Sequence, residues 1–165
     1  MKTLKAFSIV VLFATCLTAS AAYTPPTDDQ VSEAAADPSK LAALVAGATP
    51  GEAAEVVKSV IVVSLGLGLE APALSARVGE IVAASVGAMS AQSTAFAAAL
   101  GTSLGGTSAI GQNAVLVAAI QAAVTTAGGQ QGAALASSFQ TAFDTAANPP
   151  TSAAKVPVDA TDYGR

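Results

Sequence analysis

Alanine fills roughly a quarter of this chain, far above ordinary usage. It has the best helix propensity of any residue but buries little area, so helices built from it must pack closely to stabilise one another. The hydrophobic fraction of 52% in 165 residues is enough for one domain with a core, while 11% charged residues and a mean hydropathy of +0.58 are unlike charged disorder. The expected fold is all-α: an alanine-rich, irregular bundle of about five to six short helices, with solenoid-like stacking as the variant form.

The first residues carry the most specific signal. Lys2 and Lys5 form a positive region, Ala6 to Leu17 an apolar one, and Ala19-Ser20-Ala21 a small-x-small cleavage site. Residues 1–21 therefore read as a signal peptide, and the expected location is periplasmic, envelope or extracellular. Cys16, the only cysteine, lies inside the apolar region. Phe13-Ala14-Thr15 before it fits a lipidation signal poorly, so an unlipidated chain without disulfides is expected. Removing Lys2 and Lys5 leaves five basic against eleven acidic residues, a net charge of −6. No basic cluster remains to hold nucleic acid.

Residues 22–29 read as a flexible lead-in, 30–147 as the helical domain, and 148–165, with Pro149, Pro150 and Pro157, as a disordered tail. The domain is organised around Thr49 to Met89. Thr49-Pro50-Gly51-Glu52 has the form of a capped helix start, and Asp37-Pro38 of another. Val56 to Leu69 is the expected central buried helix, although Val60 to Leu65 is apolar enough to suit a buried strand. Leu74, Val78, Ile81, Val82, Val86 and Met89 then share one helical face. Phe96, Leu100 and Leu104 mark a shorter helix ended by Gly101, Gly105 and Gly106. A single helix is expected from Ser108 to Ala127, and a last one carries Leu135, Phe139 and Phe143. An echo of Ala54-Glu55-Val56-Val57 in Gly79-Glu80-Ile81-Val82, twenty-five residues on, is the only hint of a repeat.

The chain has no histidine, and its one cysteine falls in the signal. That removes His-based triads and the usual zinc ligands. Glu52 and Glu55 share a helix face, but a cap and Lys58 flank them, as on a solvated first turn. Ser152-Ala153-Ala154-Lys155 has Ser-x-x-Lys spacing between prolines that deny it a helix, and Asp159 and Asp162 read as solvated. Gly66-Leu67-Gly68-Leu69-Glu70-Ala71 has the spacing of a dinucleotide fingerprint, yet no acid between Glu80 and Asp144 could take a ribose, so a helix-ending turn is expected. Gly47 and Gly51, Gly101 and Gly105, and Gly128 and Gly132 are spaced for close helix contact, read as packing rather than membrane insertion.

No catalytic, cofactor-binding or metal-binding residue is assigned, and no cofactor and no enzymatic activity is expected. The expected function is structural or protein-interacting, through a protein partner or self-association and without nucleic acid. A membrane-active or apolar-ligand-binding exported protein is the alternative.

Overall fold

The computed structural model describes residues 23–149. The signal peptide, Cys16, Ser152, Lys155, Asp159 and Asp162 lie outside the described residues. Within them the chain is all-helical, with eight α-helices and three short 3-10 turns. The helices are α1 (Asp28–Ala36), α2 (Leu41–Leu44), α3 (Pro50–Leu65), α4 (Ala71–Ala88), α5 (Ser93–Gly105), α6 (Ser108–Gly111), α7 (Ala114–Ala127) and α8 (Gly132–Ala147). The count exceeds the expected five to six because two short pieces, α2 and α6, are separate one-turn helices.

Most boundaries follow from capping. Thr27 opens α1 and Thr49 opens α3, each in a reciprocal capping box, with Gln30 and Glu52 returning the bond. Asp37 accepts from the Ser39 N–H at 3.1 Å to start the 3-10 turn Pro38–Lys40. The helix expected from Ser108 to Ala127 is broken after Gly111, where extended Asn113 accepts the Leu116 N–H at 3.2 Å and starts α7 afresh. Asparagine gains more as a cap than inside a helix, which is why this break overrides the continuous apolar pattern.

The run Val60 to Leu65 is helix, the second half of α3, and not strand. Its central helix stops at Leu65 rather than Leu69: Gly66 caps it, Gly68 takes φ +67, and Leu67 is 47% exposed. Val62 is 44% exposed, so this half is not buried all round. Leu74 packs partly against the core, and the other five residues of the expected face of α4 are buried.

Helices α1, α3, α5 and α8 adjoin in that order in one layer, and α2, α4 and α7 form a second beside it. The tightest junction is α5 on α8. Gly105 is the last residue of α5 and Gly106 its cap, as expected, but Gly101 lies inside the helix, and both Gly101 and Gly105 are buried. A methyl group on Gly105 would stand 2.5 Å from the Phe143 carbonyl oxygen and 3.1 Å from Ala146 Cβ, and one on Gly101 would overlap the Phe139 carbonyl. Residues 101 and 105 thus face 139 to 143 and 143 to 146, so the two helices run in the same direction. Phe96, Phe139 and Phe143, all the phenylalanines among the described residues, are buried on this pair, and the last two stack at 5.6 Å.

Gly101→Ala or Gly105→Ala should lower stability by about 1–3 kcal/mol, since the added carbon meets backbone that cannot turn aside. Gly79 lies inside α4 with nothing within 4 Å of an added Cβ. Gly79→Ala should therefore raise stability by about 0.4–1 kcal/mol. Urea unfolding of the three variants checks both signs.

Candidate functional site

The first turns of α3 set the site. Thr49 and Glu52 close the cap, with the Glu52 carboxylate accepting the Thr49 N–H at 2.8 Å and the Thr49 hydroxyl at 2.7 Å. One turn on, Glu55 accepts from Lys58 of its own helix and from the Ser103 hydroxyl of α5 at 2.6 Å. The Ser59 hydroxyl donates back to the Glu55 carbonyl at 3.0 Å. These bonds satisfy most of the polar groups on this face and leave its apolar atoms uncovered.

Between α1, α3 and α5 lies a groove of about 1010 Å³. Its walls include Val31, Val56, Val62, Val63 and Ala99, and Tyr23, Pro25 and Pro26 of the lead-in line its edge. The groove lies at the upper end of the size range of small-molecule sites, and its apolar lining with a few placed polar groups matches their character. A second groove of about 490 Å³ between α5 and α8 is lined by Ala98, Ser137, Ser138, Thr141 and Thr145, and shares Thr102 with the first.

The electrostatics of the large groove are uneven along its length. Asp28 and Glu52 line it at the first turns of α1 and α3. The bonds from the Thr49 N–H and hydroxyl hold the Glu52 carboxyl below the usual range, and those from Lys58 and Ser103 do the same for Glu55. Burial, with the Glu52 charge second, pushes the Tyr23 hydroxyl up.

Among the sequence candidates, Glu52 and Glu55 both line this groove, yet each is occupied by a different partner, Thr49 and Lys58 with Ser103. They do not form a shared-proton pair. The Gly66 to Ala71 stretch is a turn between two helices, and the helix before it removes the strand that a dinucleotide fingerprint needs. Ser103 and Tyr23 were not indicated by spacing: Ser103 meets Glu55 across 48 residues of chain, with no local pattern to announce it. No group of three or more His, Cys, Asp or Glu suited to a metal ion occurs among the described residues. None of the described helices alone is long and apolar enough to cross a membrane. The bent pair Ala71–Ala88 with Ser90–Gly105 reaches that length and composition only jointly, across an 81° bend.

No family model, curated protein or solved structure matches the chain.

The sign of the acid dependence follows from Glu55. Its folded carboxyl titrates below the unfolded one, so the unfolded chain binds the proton first and stability rises with pH through that window. The contribution is present above the ordinary glutamate value of about 4.3 and is lost as pH falls through the lowered folded value. The Glu55 side chain is 57% exposed, so its worth at neutral pH is at most about 1 kcal/mol. Glu55→Gln should lose that amount at pH 7 and match the parent in strong acid, as read by urea unfolding over a pH series.

Proposed function

We propose that this chain is an exported binding protein that acts through non-covalent contacts, and that the α1/α3/α5 groove holds an apolar ligand. The observation that carries the reading is the groove itself: a large concave surface with valine, alanine and proline walls, whose Glu52 and Glu55 are engaged within the protein. Export rests on the charged, apolar and small-residue pattern of residues 1–21. A ligand site is favoured over a purely structural role because this apolar surface is concave and concentrated in one place.

The groove also has an architectural reason, which supports a stacked helical repeat. The 3-10 turn Ser90–Gln92 followed by α5 from Ser93 has its counterpart in the turn Gly129–Gln131 followed by α8 from Gly132, each thirty-nine residues on. At that interval Ile81 corresponds to Ile120, Phe96 to Leu135, Leu100 to Phe139 and Leu104 to Phe143, all buried. One step back, Val57 and Ile61 of α3 correspond to Phe96 and Leu100. The twenty-five-residue echo instead joins α3 to α4, consecutive helices of different layers. In α3 the counterpart of Gly101 is Val62, which lines the groove. A glycine lets α5 close on α8, whereas at the same place α3 carries Val62, 44% exposed in the groove. In α8 the counterparts of Gly101 and Gly105 are Gln140 and Asp144, hydrogen-bonded to each other at 2.7 Å, a polar outer face of the kind that caps a repeat stack.

Saturable binding of a neutral apolar fluorophore, N-phenyl-1-naphthylamine, is the expected result. The chain has no tryptophan, so an introduced one is unambiguous. Ala99→Trp, which fills the groove from α5, should abolish binding without lowering the melting temperature. No saturable binding by the parent, or equal binding by the variant, overturns the reading.

A further inference from the structure

We propose that the occupant of the groove is a cationic amphiphile, a single alkyl chain ending in an ammonium group, held with its charge between the first turns of α1 and α3. The inference rests on the ligand-binding reading above and adds the ligand's charge and direction. Four charged side chains line the groove: Asp28, Glu52, Glu55 and Lys58. Lys58 is already paired with Glu55, so these two cancel. Neither Asp28 nor Glu52 has a basic partner among the ion pairs of the described residues. An anionic head would therefore meet two carboxylates and no free cation, whereas an ammonium would meet two complementary charges.

The helix N-termini at this end oppose the carboxylates, but each is worth only about half a charge. Two full negative charges exceed two halves of positive charge. Glu52 keeps its cap bonds while its carboxylate remains the site of the charge, and Tyr23 beside it supplies an aromatic face suited to a cation. The apolar part of the ligand also has a path. Val62 and Val63 lie ten and eleven positions beyond Glu52 on α3, roughly 15 Å along the helix at 1.5 Å per residue. Asp28 and Glu52 at the first turns, Val31 and Val56 within a turn of them and Val62 and Val63 beyond the Glu55–Lys58 pair give the groove an unpaired charge at the helix starts and an apolar run past it, which matches a chain with one charged terminus.

The test titrates the purified full chain with dodecyltrimethylammonium, dodecanol and dodecanoate, each below its micelle concentration, by calorimetry. Dodecyltrimethylammonium should bind at least tenfold more tightly than dodecanoate, with dodecanol between, and the preference should shrink as salt is raised. Asp28→Asn with Glu52→Gln should abolish the preference while dodecanol binding persists; glutamine keeps the capping box, so the helix start survives. Ala99→Trp should remove binding of all three. Equal affinities for the two charged probes, tighter binding of dodecanoate, or a preference unchanged by the double variant overturns the inference and leaves the apolar-ligand reading standing. Failure of all three probes to bind overturns both.

Discussion

The approach of α5 to α8 at Gly101 and Gly105 is the contact on which the rest of the packing depends. Valine, leucine, isoleucine and phenylalanine make up most of the buried core, and at this junction the helices gain further dispersion by bringing their backbones together. Two glycines one turn apart permit that, and the phenylalanines fill what is left around them. The same logic recurs at the corner between α7 and α8, where a methyl group on Gly132 would overlap the Thr125 carbonyl.

Polar groups are handled locally, which suits helices with so little room between them. The buried hydroxyls Ser64 and Ser85 donate to the carbonyls of Val60 and Ile81 in their own helices. Among the described residues no buried side-chain nitrogen or oxygen lacks a partner. Few polar links cross between elements: Ser103 to Glu55, Arg77 to the Ala36 carbonyl at 2.8 Å, and Gln121 to Gln140 among them. Their scarcity fits assembly through shape, since a small apolar side chain on one helix leaves space that a neighbour must enter or leave open.

Space is left open between α3 and α5. Where α5 meets α8 the contact residues are Gly101 and Gly105, while on the α3 side Val62 and Ala99 line the groove. Helix α5 thus takes part in close packing against α8 and in an open, apolar surface with α3. The proposed binding role uses the second side, and stability draws on the first.

Helical class, the caps at Thr49 and Asp37, the apolar faces of α4 and α8 and the absence of histidine chemistry were legible in the sequence, because each depends on residues within a turn or two of one another. The break at Asn113 was not, since a cap and a polar helix position look alike until the backbone chooses. Gly101 and Gly105 have both the look of helix ends and the spacing for close packing; Gly105 is the end of α5, Gly101 is not, and only the neighbour α8 shows that both serve the contact. The groove and the Ser103–Glu55 bond belong wholly to tertiary structure, because they join residues from separate helices across tens of positions. Local hydrogen bonding and periodicity determine where a helix forms. Which helix comes near it, and how closely, depends on shape complementarity between surfaces far apart in the chain.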